Sequence, residues 1–162
     1  MLISRTPYRI GFFGGGVDQP HIYNQIGGSL VIGLCLSQYS YLTCRYLPNC
    51  FPYKSHISYS KIEEVQSNKD IEHGIIRECL KLLNIEKGIS ITHMADLPNK
   101  SSGLGGSASM CVGLLNGLTA LTGQSQSKKQ LANSAIQISR DILKEPGGIQ
   151  DEIFASWGGF NH

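Results

Sequence analysis

The chain has 162 residues, of which 41% are hydrophobic and 16% charged, and a formal net charge of +2 at pH 7. That is chain enough for one buried core and one domain, and too little positive charge for a nucleic-acid surface. No apolar run approaches the about 20 residues of a membrane span and no apolar leader follows a basic start, so a soluble, cytoplasmic protein is expected, with neither membrane nor nucleic acid as partner.

Five cysteines (Cys35, Cys44, Cys50, Cys79 and Cys111) are odd in number, include no Cys-x-x-Cys pair and fall mostly in apolar segments, so they read as reduced thiols. His21, His56, His73, His93 and His162 lack metal-binding spacing and are expected at the surface or in ordinary hydrogen bonds.

Residues 2–13 are rich in β-formers although they alternate poorly, and they place Arg9 inside a strand, where a guanidinium needs water or an anion. Gly14-Gly15-Gly16-Val17-Asp18 follows, a loop whose backbone a ligand can approach closely and which ends in a carboxylate. A plain turn fits those residues as well. Residues 29–36 and 39–46 read as two strands of a hairpin parted by Ser37-Gln38, with Tyr39, Tyr41 and Thr43 on a wet face and Leu42 and Cys44 on a buried one.

Pro48, Asn49, Pro52 and Lys54 mark a loop over 47–54, and a short strand is expected at His56 to Tyr59. Asp70 can cap a helix whose apolar positions Ile71, Ile75, Cys79 and Leu82 or Leu83 recur at helical intervals up to Asn84. Ile89 to Met94 alternates as a half-buried strand and leads into Leu97-Pro98-Asn99-Lys100-Ser101-Ser102-Gly103-Leu104-Gly105-Gly106-Ser107-Ala108-Ser109. The apolar stretch Ala108 to Leu121 then predicts a largely buried helix, stopped by Gly123.

A glycine-serine loop opening a helix has the makings of a phosphate cradle, because uncapped amides and the helix dipole both favour an anion. The same loop can start a helix with no ligand at all, and taken alone it leaves both readings open. Ser127 and Gln130 match a capping box for a helix striped with Leu131, Ala135, Ile138 and Ile142 through about residue 144. Pro146-Gly147-Gly148 breaks that helix and presents Gln150, Asp151 and Glu152 on a turn.

Three segments, Thr6 to Asp18, Pro98 to Ser109, and Gly148 to Asp151 with Trp157-Gly158-Gly159-Phe160-Asn161, together resemble in order and spacing the GHMP small-molecule kinases. The likeness is strongest to the branch acting on heptose 7-phosphate. The resemblance implies an α+β fold of the ribosomal protein S5 domain 2-like kind, a mixed sheet with helices packed on it. It also implies ATP-dependent phosphorylation of a sugar hydroxyl in the synthesis of surface-glycan precursors.

On this resemblance ATP and Mg²⁺ are the cofactors. Pro98, Ser102, Gly103, Leu104, Gly105, Gly106, Ser107 and Ala108 hold the phosphates, and the Ser107 hydroxyl approaches the metal. Asp151 is the catalytic carboxylate with Arg9 beside it, while Asp18, with Gly15 and Gly16, grips sugar hydroxyls. Partners are then a small-molecule sugar and ATP, with self-association left open.

The chain departs from the family in three places. Ser139 stands where a metal-ligating glutamate is expected, and Asp141, two residues on, would project about 200° away from it on a helix. Gly106 replaces a common serine. Residues 1–162 correspond to an N-terminal domain, without the second domain that carries a third glycine-rich motif. Two other readings stand beside the kinase: a dinucleotide-binding domain, since Gly103 to Ala108 also fits Gly-x-Gly-x-x-Ala, and a non-catalytic homologue.

Overall fold

A computed structural model describes residues 1–97 and 103–162. The fold is α+β: strands β1 (Leu2–Phe13), β2 (Ile32–Tyr46), β3 (Ser55–Ser58), β4 (Ile62–Val65), β5 (Ile89–Ala95) and β6 (Phe160–Asn161) form one mixed sheet. Its order is β1-β2-β5-β3-β4, antiparallel throughout except for the parallel β3/β5 pair. β6 joins β2 at Gly33 and Leu34, beyond the segment of β2 that β5 occupies.

The helices are α1 (Pro20–Ile26), α2 (Gly74–Leu82), α3 (Gly106–Leu121), α4 (Lys128–Ile136) and α5 (Gln150–Trp157). Among the described residues no helix is long and apolar enough to cross a membrane.

α3 is the centre of the packing. It lies across β1 and β2 and is flanked by α2, α4 and α5, and Met110, Cys111, Val112, Leu114, Leu115 and Leu118 are all buried. Burying each large aliphatic side chain is worth about 1.5–3 kcal/mol, so this helix and the Leu42, Ile57, Ile89 and Ile91 side chains it covers supply much of the folding free energy.

The poor alternation of β1 now has a physical reason. Its buried face carries Ser4 and Thr6 because α3 comes too close for larger groups: Ser4 Oγ donates to the Gly113 carbonyl at 2.7 Å, and a Cβ on Gly113 would lie 2.5 Å from Thr6 Oγ1. Ser109 Oγ ties the same helix to the Pro7 carbonyl at 2.7 Å.

Several expectations need correction. Residues 29–46 are not a hairpin: β2 runs unbroken through Ser37 and Gln38, and the register with β1 jumps from Pro7↔Tyr39 to Arg9↔Cys35. The extra residues are a bulge opposite Tyr8, because Ser-Gln has no tendency to the positive φ that a tight turn needs. The two faces are as expected, with Leu42 and Cys44 fully buried and Tyr39, Tyr41 and Thr43 half-exposed.

Asp70 closes a short 3₁₀ turn capped by Ser67, and α2 begins only at Gly74. The helix after the Ser127–Gln130 capping box, which is present, loosens into a π-helical turn at Gln137–Ile142, and Ile142 ends up exposed. Asp151 lies on the first turn of α5 rather than on a free turn. α1 and β4 had no counterpart in the sequence reading. All five cysteines are free thiols, with Cys44, Cys79 and Cys111 buried.

Candidate active site

Arg9 is placed by the bulge, a kind of irregularity that re-aims side chains beside functional sites. From there it binds three partners. Its backbone N–H donates to the Leu104 carbonyl at 3.1 Å, Nη1 donates to the Gly103 carbonyl at 2.9 Å, and Nε donates to Asp151 Oδ1 at 2.7 Å. Nη2 pairs with the same carboxylate oxygen. The ion pair is neither sealed nor free, with 14% of the Arg9 side chain and 22% of the Asp151 side chain accessible.

The glycine loop packs directly on this pair. Gly105 is the residue preceding α3, with φ of 73°, and a Cβ there would sit 3.1 Å from Arg9 Cγ and 3.6 Å from Asp151 Oδ2. No side chain caps α3, and its own hydrogen-bond ladder begins with Ser109 N–H to the Gly105 carbonyl at 2.9 Å. Gly103 and Ser107 are exposed, Leu104 and Gly106 half-buried, and Ala108 faces inward. The helix terminus thus opens where the Arg9–Asp151 pair lies. Pro98 and Ser102 lie outside the described residues.

Asp18, expected at the sugar, makes two backbone contacts. It is 2% exposed, Oδ1 accepts the Gly16 N–H at 3.0 Å, and Oδ2 accepts the Gln150 N–H at 2.9 Å. Gly148 has no side chain because Asp18 fills that space: a Cβ would lie 1.8 Å from Oδ2. The carboxylate is turned inward and holds the Gly15–Gly16 loop against the start of α5. Gln150 Oε1 is buried near Gly11 with no partner among the described residues.

The turn before α5 is clamped by Arg140, whose Nε donates to the Gly148 carbonyl at 2.8 Å, Nη1 to the Glu145 carbonyl at 3.3 Å, and Nη2 pairs with Glu152 Oε1 at 3.1 Å. Burial pushes the Glu152 carboxyl up, opposed by Arg140. Ser139 is 1% exposed and lies near the buried Glu152. Ser107 Oγ donates to Glu145 Oε2 at 3.4 Å, so two hard oxygen donors stand together at the open end of α3, a fit for a Mg²⁺ ion that completes its shell with phosphate and water oxygens.

Beside that end opens a recess of about 210 Å³ lined by Tyr59, Ser60, His73, Ile75, His93, Gly106, Ser107 and Met110, which the sequence reading did not find. Burial pushes the pKa of His73 down, against the nearby charges of Glu63 and Glu145, and the ring stands edge-on to Tyr59 with Nδ1 buried and unpartnered among the described residues. Tyr59 is fixed through its hydroxyl, which donates to Glu63 Oε1 at 2.8 Å, and Glu63 in turn accepts the amides of Glu72 and His73. His93 is likewise pushed down by burial and shares a hydrogen bond with Ser40 Oγ at 3.0 Å. A larger recess of about 550 Å³ at the far end of α2, lined by Lys54, Asn68 and Arg77 among others, contains none of the residues above.

The family model described as GHMP kinases N terminal domain matches residues 71–159, more than half of the chain. The chain belongs to the GHMP kinases. It is 26% identical over 170 aligned residues to the D-glycero-alpha-D-manno-heptose 7-phosphate kinase of Campylobacter jejuni, covering 98% of this chain and 49% of that protein.

The crystal structure of a D-glycero-D-manno-heptose 1-phosphate kinase from Bacteroides thetaiotaomicron superposes with a TM-score of 0.86 at 26% identity, over 99% of this chain and 55% of that one. The mevalonate kinase of Methanococcus jannaschii, at 19% identity, shares the fold with a TM-score of 0.73 over 98% of this chain and 52% of its own. This GHMP kinase chain therefore spans about half the length of the relatives it matches. The dinucleotide-binding alternative falls with the topology: β5, which leads to the glycine loop, runs antiparallel to β2 in a mixed sheet, whereas that fold needs parallel βαβ units.

Proposed function

We propose that this chain supplies the nucleotide- and sugar-binding half of an ATP-dependent sugar kinase, acting on a heptose phosphate or a closely related sugar. The observation that carries this reading is the Arg9–Asp151 pair packed against Gly105 at the uncapped end of α3. A site for phosphoryl transfer needs donors along a polyphosphate and a carboxylate at the accepting hydroxyl, held in line by rigid elements. Here the donors are the amides of Gly106, Ser107 and Ala108, and the adjoining recess of Tyr59, His73 and Met110 suits the nucleoside.

Asp151 would take the proton of the sugar hydroxyl as it attacks the terminal phosphorus, while the bond from that phosphorus to the bridging oxygen breaks and ADP leaves. Arg9 holds one oxygen of that carboxylate, leaving the other toward Gly105 and the phosphates. Asp18 and Arg140 act one step back, fixing the turn from which Asp151 projects. Mg²⁺, when bound at Ser107, would neutralise charge on the transferring phosphate. The heptose phosphate assignment draws on the two 26% identical relatives, whose names specify that sugar class.

The test is transfer of labelled phosphate from ATP to a panel of heptose, hexose and mevalonate acceptors, using this chain alone and joined to the half of a relative that lies beyond the match. Transfer to heptose phosphates that drops about 10²–10⁴-fold in Asp151→Asn, with nucleotide binding retained, is the expected result. A joined protein that transfers to none of them, or an Asp151→Asn variant that is fully active, would sink it.

A further inference from the structure

We infer that Glu145 replaces the missing metal-ligating glutamate and, with Ser107, holds the divalent cation of a bound nucleotide. The inference rests on the kinase reading above and concerns how this chain completes that site with Ser139 at the expected position. Ser139 cannot serve: it is 1% exposed, and its neutral hydroxyl is a poorer ligand for a hard dication than a carboxylate. Asp141, the other candidate, is exposed on the π-helical turn.

The backbone compensates. After that turn Lys144 adopts φ of 55°, which reverses the chain, and the Glu145 N–H donates to the Ser139 carbonyl at 2.8 Å. Glu145 is thereby laid over Ser139, and Arg140 holds its carbonyl in place. From there its carboxylate reaches Ser107, with Oε2 3.4 Å from Oγ. Neighbouring ligands of an octahedral Mg²⁺, each about 2.0–2.1 Å from the metal, stand about 3 Å apart, so a small rotation of the Glu145 side chain brings both oxygens onto one ion. Among the described residues no three His, Cys, Asp or Glu side chains converge on a metal position. A cation at Ser107 and Glu145 must then take its remaining ligands from phosphates and water, the manner in which Mg²⁺ is held in nucleotide sites.

The experiment measures binding of the ATP analogue AMPPNP to the purified chain by calorimetry, with and without Mg²⁺, together with Mn²⁺ binding by electron paramagnetic resonance. Glu145→Gln should weaken Mn²⁺ binding and the Mg²⁺-dependent gain in AMPPNP affinity at least about tenfold. Metal-free AMPPNP should bind the variant equally or more tightly, since a carboxylate facing the phosphates is gone; a merely structural role would weaken both forms together. Asp141→Asn should change nothing. A Glu145→Gln protein with the wild-type metal response, or loss of that response in Asp141→Asn, would overturn the inference. If wild type binds Mn²⁺ through Glu145 but AMPPNP in neither form, the cation site stands and the nucleotide reading falls; if it binds no Mn²⁺ even with AMPPNP, the cation site falls.

Discussion

The first turn of α3 and the remainder of that helix are built to opposite rules. From Ala108 to Thr119 nearly every residue is buried, Gly113 is pressed against Ser4 and Thr6, and neighbours on all sides fix the helix. The turn at Gly105 to Ser107 carries glycines, lacks a side-chain cap and faces Arg9 and Asp151. The buried body holds that open end still, so the position of the first turn is set by packing remote from it.

If that division is right, stability and binding can be damaged separately. The largest effect is expected from Leu115→Ala, which should cost about 2–5 kcal/mol in urea unfolding while the folded fraction binds AMPPNP as before. A parallel loss of affinity would show that body and end are not independent. Gly105→Ala should cost less stability, about 1–3 kcal/mol, because its positive φ becomes strained, yet it should weaken AMPPNP binding clearly by crowding Arg9. Binding that survives intact would separate the loop from the ion pair.

The smallest effect is a pH dependence. His73 and His93 are held neutral by burial, with folded pKa values below 6.5, so the unfolded chain binds more protons as the medium acidifies. Their contribution is complete above 6.5 and is lost as pH falls through the folded values. Urea midpoints should therefore decline from pH 7.5 to 5.5, less steeply in His73→Gln. A flat profile would mean that the recess wall admits water.

Local signals carried the strand-loop-helix run of residues 89–121 and the capping box at Ser127, since alternation, glycines and helical stripes there act over one or two turns. The hairpin reading failed at Ser37-Gln38 because a bulge and a turn both interrupt alternation, and only the partner strand tells them apart. Asp70 looked like a helix cap because apolar spacing continued from Ile71, although Ile71 is buried ahead of the helix itself.

In the site, the meeting of Arg9, Asp151 and the glycine loop could be anticipated from the family likeness. The inward turn of Asp18 could not, because it depends on the amide of Gln150 and on the space left by Gly148. Glu145 and the recess at His73 were equally hidden: one follows from a π-helical turn and a left-handed Lys144, the other from a strand, β4, whose short run of residues carries little pattern.

The Asp18–Gln150 contact joins residues 132 positions apart. Such a closure is entropically late, since almost the whole polypeptide must be ordered before it forms. The orientation of Asp151 is therefore a property of the finished molecule: a nascent or partly opened chain holds Arg9, the glycine loop and Asp151 without bringing them together.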